Sequence, residues 1–177
     1  AADTDSIDGW PKGPGIEAQA AVLMDVNTEA VLYSKNADTQ LYPASITKIL
    51  TTLLACENLN TKTNITVSEN ASTSVTAGDS SIYAAPGEEF TRDQALMAVM
   101  LQSANEMSVA VAEEVSGSVK KFAELMNWRA KLFGCKNTHF NNPNGLPDEN
   151  HSTTASDMAK IAKSAWLNPL FRRYCTK

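Results

Sequence analysis

Leu41-Tyr42-Pro43-Ala44-Ser45-Ile46-Thr47-Lys48-Ile49-Leu50-Thr51 is the stretch where the chain turns helical. From Ser45 onward Ile46, Ile49, Leu50, Leu53 and Leu54 recur at spacings of three and four, the pattern of a helix with one apolar face. A serine at the start of that helix with a lysine three residues later puts both side chains on one face, one turn apart. A serine hydroxyl is a weak nucleophile at its free pKa, and a desolvated neutral lysine amine can take its proton. The helix N-terminus adds partial positive charge and free backbone N–H groups beside a developing oxyanion. Taken alone, Ser45 fits a helix cap and Lys48 a solvated charge, so further signals decide the matter.

Working outward, residues 18–26 and 30–33 are two apolar runs separated by Asn27-Thr28-Glu29, which predicts a β-hairpin. Before them, residues 1–15 carry Gly9, Pro11, Gly13, Pro14 and Gly15 and read as a leader with little reason to fold by itself. Residues 58–88 read as loops and small strands such as Ile65-Thr66-Val67. Thr91 with Gln94 forms a capping box ahead of a helix through Leu96, Met97, Val99, Met100 and Leu101. Polar Gln102-Ser103-Ala104-Asn105 interrupts it. Helices are then predicted over 106–115, ended by Gly117, and over 119–133, ended by Gly134. A turn-rich loop spans 137–151, and Ser152, Thr153 or Thr154 caps a last helix over 155–166. A lone hairpin is a marginal sheet, so residues 18–33 call for more strands or a helix packed on them.

The 177 residues, 43% hydrophobic, suffice for one domain with a real core. A net charge of −5, with Lys120-Lys121 and Arg172-Arg173 the only adjacent basic pairs, sets nucleic acid aside. No apolar run approaches the ~18 residues of a membrane span; the longest, 49–56, is broken by Thr51 and Thr52 and reads as a buried helix. The opening Ala1-Ala2-Asp3-Thr4-Asp5 is polar and acidic, compatible with an exported chain. Three cysteines (Cys56, Cys135, Cys175) cannot all pair within one chain, and Cys56 falls in an apolar helical pattern. His139 and His151 stand alone in turn-rich sequence and offer no zinc-ligand spacing.

The triplet Ser103-Ala104-Asn105 breaks two buried helices, where unpartnered polar groups cost about 1–3 kcal/mol each, so a cleft should supply partners. In this order, Ser45-x-x-Lys48 followed by Ser103-x-Asn105 resembles the motif set of penicillin-binding proteins and β-lactamases. The stretch around Ser45 is similar to the nucleophile helix of the low-molecular-mass penicillin-binding proteins, the D-alanyl-D-alanine carboxypeptidases. Similar blocks follow in family order: Ala20-Ala21-Val22-Leu23-Met24-Asp25 with Val31-Leu32-Tyr33-Ser34-Lys35-Asn36, Leu101-Gln102-Ser103-Ala104-Asn105-Glu106, Thr138-His139-Phe140-Asn141-Asn142-Pro143-Asn144-Gly145-Leu146, and Ser152-Thr153-Thr154-Ala155-Ser156-Asp157-Met158-Ala159.

The resemblance implies an α/β (α+β) fold of the β-lactamase/transpeptidase type, an antiparallel sheet flanked by a helical cluster. It implies a flexible leader over 1–15 and a partial catalytic domain over 16–177, with the sheet incomplete in this chain. Ser45 is then the acyl-forming nucleophile, Lys48 its general base, Ser103 a proton relay and Asn105 a substrate-binding and lysine-holding group. No metal or cofactor is implied. The implied partners are peptidoglycan stem peptides and β-lactam antibiotics, met outside the bacterial cytoplasmic membrane. The family's third element, Lys-Thr/Ser-Gly, does not occur here: Lys62-Thr63 is followed by Asn64, and Lys177 is the last residue. The expectation is a chain stopping before that motif and before the family's amphipathic membrane anchor, with the remainder of the domain possible as a separate polypeptide.

Two rivals follow. A class A β-lactamase needs a Glu-x-x-Leu-Asn loop, and Ser164 stands three residues before Leu167-Asn168. A truncated, non-catalytic module binding cell-wall peptide or a partner is the other. Of the remaining residues, Glu106 is expected only to cap its helix, Met97, Met100 and Met107 to fill core, Trp128 and Trp166 to pack helices, and Asn142, Asn144 and Gly145 to shape a loop near the cleft.

Overall fold

The computed structural model describes residues 3–176; Ala1 and Ala2 of the leader and the terminal Lys177 lie outside the described residues. The hairpin forms as β1 (Ala21–Met24) and β2 (Val31–Lys35), antiparallel, with Leu23 opposite Tyr33 and an irregularity between Leu23 and Met24. Its turn is tied by one carboxylate: Asp25 Oδ1 accepts from the Asn27 and Thr28 amides at 3.1 and 2.7 Å and from Thr28 Oγ1 at 2.7 Å. A second small antiparallel pair joins β3 (Asn64–Thr66) to β4 (Glu89–Thr91), with Ile65 opposite Phe90. The rest is helical: α1 (Lys48–Asn58), α2 (Glu69–Thr73), α3 (Arg92–Leu101), α4 (Asn105–Ser116), α5 (Val119–Leu132), α6 (Ala155–Leu167) and α7 (Pro169–Cys175). The result is an α/β molecule of antiparallel strands flanked by a helical cluster.

Local chemistry sets these boundaries. The Thr91–Gln94 capping box is present on both sides, and Thr154 accepts from the Asp157 amide at the start of α6. Gly117 closes α4 at φ 77°, a left-handed cap that lacks a Cβ penalty. Asn168 caps α7 through the Leu170 and Phe171 amides, with Pro169 in the first turn. The sequence reading missed α2, α7 and β4. Each is short, and a single turn or three-residue strand carries too few residues to express a period.

Helix α1 runs through the middle of the cluster. Leu50, Leu53 and Leu54 pack with Phe122, Met126, Phe140 and Ile161 from α5, the 137–151 loop and α6. Ala55 joins Leu96, Val99, Met107 and Val111 from α3 and α4. At about 1.5–3 kcal/mol per fully buried large side chain, this clamps α1 from several sides. Even Thr51 and Thr52 are fully buried, and Thr51 Oγ1 donates to Pro143 O at 2.6 Å. The N-terminus of α1 therefore sits on a rigid mount.

The leader finds a partner, and one expectation needs correcting. The leader is not left to itself: Ser34 N donates to Thr4 Oγ1 at 3.1 Å, Asn36 N to Asp3 Oδ1 at 2.7 Å and Trp10 Nε1 to Leu32 O at 3.1 Å, so residues 3–10 lie along β2. Trp128 and Trp166 do not pack inside helix interfaces; they are 55% and 43% exposed. The stripe of α5 that faces the core is Phe122, Met126 and Ala130, which turns Trp128 outward beneath the Arg129 guanidinium. Trp166 instead borders a groove between α6 and β1. All three cysteines are unpaired, and burial pushes the Cys56 thiol up to about 12. Among the described residues no helix is long and apolar enough to cross a membrane.

Candidate active site

Ser45 does not begin an α-helix directly. Residues Ala44–Thr47 form a 3₁₀ turn that leads into α1 at Lys48. With three residues per turn, positions 45 and 48 eclipse, which stacks the two side chains more closely than an α-turn would. Ala44 takes φ 50°, the left-handed region that a Cβ disfavours by about 1–2 kcal/mol, and Ser45 is left exposed on the surface of the turn.

Lys48 is the opposite case, a cation only 3% exposed. Its Nζ lies 3.1 Å from Ser45 Oγ and 2.7 Å from each of two carbonyl oxygens, Asn105 Oδ1 and Asn144 O. Burial pulls its pKa from 10.5 down to about 8, with the charges of Asp79 and Glu106 pulling the other way. As an ammonium it donates to all three oxygens. As a neutral amine it has two N–H donors and one lone pair. The two carbonyls take the donors, and the lone pair is left for the Ser45 hydroxyl.

Ser103 stands at the break between α3 and α4, at φ 54°, and its Oγ donates to Ser45 Oγ at 3.0 Å. Asn105 opens α4 and is 4% exposed, with its backbone N–H donating to Ser80 O at 2.9 Å. All four residues named from the sequence thus meet at one point. Beside them opens a cleft of about 620 Å³ bordered by Tyr42, Asp79, Ser80, Leu146 and Asp148.

Three further groups at this point were not legible as site residues. Asn144 was read as turn chemistry, and its side chain does serve the turn: Asn144 Oδ1 accepts from Leu146 N, and Asn142 Oδ1 from Gly145 N. Its backbone carbonyl, however, is a ligand of the Lys48 amine. The second group is the Thr47–His151 pair, 2.8 Å apart. Asn141 N donates to His151 Nδ1 at 3.0 Å, so Nε2 carries the proton and donates to Thr47 Oγ1. The third is Glu106, fully buried and bonded to the 81–84 turn rather than merely capping α4. His139, by contrast, stays near the surface with Nδ1 on Asn150 O.

His151 carries a stability prediction. It is 1% exposed and edge-on to Phe140, and burial lowers its pKa from 6.5 to about 4. The folded state holds it neutral while the unfolded state protonates it. Its contribution is therefore complete above about pH 6.5 and is lost as pH falls toward 4, at a slope of up to ~1.4 kcal/mol per unit. The Asp157 and Asp93 carboxyls, held below 3.8, lose theirs only at lower pH. Urea denaturation at about pH 7 and about pH 5 should show a loss that shrinks in His151→Gln. An equal loss in both proteins would refute a buried neutral imidazole.

The peptidase S11 family, described as D-alanyl-D-alanine carboxypeptidase, matches residues 9–176. The D-alanyl-D-alanine carboxypeptidase DacF of Bacillus subtilis is 47% identical over 150 residues, 83% of this chain and 38% of its own length. The crystal structure of the D-alanyl-D-alanine carboxypeptidase DacD from Francisella tularensis superposes with a TM-score of 0.84 at 36% identity, covering 93% of this chain and 40% of that one. Penicillin binding protein 5 from Haemophilus influenzae gives a TM-score of 0.84 at 32% identity, over 90% and 48%. The chain spans about two-fifths of the length of the first curated relatives it matches. With nearly every residue from 9 to 176 inside the family match, and a serine, a buried lysine and a Ser-x-Asn turn converging on one cleft, this chain belongs to the D-alanyl-D-alanine carboxypeptidase family.

Proposed function

We propose that the chain carries the acyl-forming centre of a serine D,D-carboxypeptidase that trims the terminal D-alanine from peptidoglycan stem peptides and is acylated by β-lactams. Neutral Lys48 takes the Ser45 proton as Oγ attacks the carbonyl between the two D-alanines, and an ester bond to Ser45 forms. The proton passes through Ser103 to the leaving amine as the C–N bond breaks and D-alanine departs. Water then hydrolyses the ester. Asn105 keeps Lys48 in place and meets the substrate amide. In a β-lactam the leaving nitrogen stays tethered to the acyl group after ring opening, which obstructs hydrolysis. Such work belongs outside the cytoplasmic membrane, where peptidoglycan is.

One observation carries this reading: an amine with both possible N–H donors committed to carbonyls at 2.7 Å, 3.1 Å from an exposed serine hydroxyl. A structural lysine would gain nothing from burial beside a reactive hydroxyl. The test is mass spectrometry of the folded protein after exposure to benzylpenicillin, with peptide mapping. The expected result is one adduct of the whole antibiotic on Ser45. An unmodified Ser45 in a chain shown to be folded would refute the proposal. Steady turnover of a chromogenic cephalosporin would favour a β-lactamase instead.

A further inference from the structure

Three hydrogen bonds fasten the 141–151 loop to the turn and helix that carry Ser45 and Lys48. Thr51 Oγ1 donates to Pro143 O at 2.6 Å, Lys48 Nζ to Asn144 O at 2.7 Å, and His151 Nε2 to Thr47 Oγ1 at 2.8 Å. In the first two the loop offers backbone carbonyls. In the third it offers a side chain, and that side chain works at both ends. Nδ1 accepts from Asn141 N at 3.0 Å, which closes the loop on itself, while Nε2 reaches across to Thr47. Thr47 lies between the nucleophile and its base and is fully buried, and His151 is 1% exposed, so neither has bulk water as a substitute partner. An aliphatic side chain could fill the space beside Phe140 with no polar atom to satisfy, so packing alone does not account for an imidazole here.

We propose that His151 is a positioning residue for the Ser45–Lys48 pair: its imidazole locks the 141–151 loop to Thr47 and thereby holds Asn144 O against the Lys48 amine. The inference deepens the proposed function and rests on Lys48 being the base for Ser45. Asn144 lies within the stretch that the imidazole spans, between Asn141 and position 151 itself. Freed from Thr47, that stretch keeps only its carbonyl ties at Pro143 and Asn144, and the turn between them can drift from α1. Neutral Lys48 has two N–H donors and one lone pair. With the Asn144 acceptor withdrawn, one donor is left to turn toward Ser45 Oγ, which is the wrong direction of hydrogen bond for a base. The contact is close enough for such a shift to matter: a Cβ on Gly145 would stand 1.9 Å from Ala44 O and 3.0 Å from Thr47 Oγ1. Asp148 and His139 are the titratable neighbours of the ring, and neither holds it, since Asn141 and Thr47 take its two nitrogens.

The test follows acylation by benzylpenicillin on the pH plateau above 8, separating the limiting rate from the half-saturating concentration. His151→Asn keeps an acceptor for Asn141 N but is too short to reach Thr47. His151→Gln carries an amide donor at about the reach of Nε2, and Thr47→Val removes the other partner without changing its shape. His151→Asn and Thr47→Val should each lower the limiting rate by about ten- to a hundredfold, with the half-saturating concentration within about twofold of wild type, while His151→Gln stays clearly faster than His151→Asn. The double variant, His151→Asn with Thr47→Val, should lose no more than the worse single one. A second measurement needs no ligand. In NMR titration of protein carrying ¹³C-labelled lysine, withdrawal of the Asn144 acceptor from the ammonium should lower the Lys48 midpoint by about half a unit in His151→Asn and Thr47→Val. A role confined to stability would lower the melting temperature and leave the limiting rate and the midpoint unchanged, which overturns the proposal. So do losses that simply multiply in the double variant. An unchanged limiting rate in Thr47→Val overturns it too, an arm that stands if His151→Asn does not fold. Failure of the wild-type chain to take up benzylpenicillin would count against Ser45 as nucleophile and leave the Lys48 titration to decide this proposal.

Discussion

Lys48→Met should lower the rate of Ser45 acylation by benzylpenicillin by about 10²–10⁴-fold, the range expected for loss of a positioned general base. Methionine nearly matches the lysine stem in volume, so the fold around α1 should survive. It leaves Asn105 Oδ1 and Asn144 O without the amine they share, a cost of about 1–3 kcal/mol per buried acceptor, offset in part by removal of a buried cation. The pH profile separates chemistry from folding. In the proposed mechanism the active form is the neutral amine; with its pKa lowered to about 8, the wild-type rate should rise with pH and level off above 8. About two units below that midpoint only ~1% of the amine is neutral, and the rate should have fallen about a hundredfold. The methionine variant should be slow and flat across the same range. Stopped-flow or quenched labelling reads both; a variant within tenfold of wild type, or a flat wild-type profile, would remove Lys48 from the base role.

Gly145→Ala should destabilise the protein by about 3 kcal/mol or more, measured by urea denaturation. A Cβ there would lie 1.9 Å from Ala44 O and 2.4 Å from Ala44 C, and both are backbone atoms with no side-chain freedom to yield. The residue also sits at φ 85°, which alone disfavours alanine. Gly117→Ala is the internal control. Its φ of 77° is similar, but nothing lies within 4 Å of the added Cβ, so the loss should stay near 1 kcal/mol. The difference between the two variants measures the close approach itself. Relief of the clash must move either the Ala44 turn away from the loop, which displaces Ser45, or the loop away from α1, which withdraws Asn144 O from Lys48. Acylation should therefore fall together with stability. Equal losses at positions 117 and 145 would show that the two backbones are not locked together.

The tie between Gly145 and Ala44 shows why a site can be half legible. Ser45 and Lys48 were readable because their relation is local: three residues on one turn, whatever surrounds them. The triplet 103–105 was readable as a polar break in an apolar pattern, and its meaning came from order along the chain. Glu106 was misjudged because a helix-start acid looks the same in sequence whether it faces water or a buried turn. Asn144 was placed near the cleft, but a backbone carbonyl carries no side-chain identity, and any residue in that position could supply it.

The sequence by itself determined the hairpin, the long helices with their caps at Thr91 and Gly117, and the Ser45–Lys48 spacing, since periodicity, capping and turn chemistry act over a few neighbouring residues. Only the tertiary structure decided the protonation setting of Lys48, the carbonyl ligands that aim its lone pair, and the outward turn of Trp128. These depend on groups 57, 96 and 104 residues apart (Lys48 with Asn105, Lys48 with Asn144, Thr47 with His151) being pressed together around a buried α1. Burial and hydrogen-bond partners arise when helices dock, and no local pattern encodes how far a side chain will end up from water.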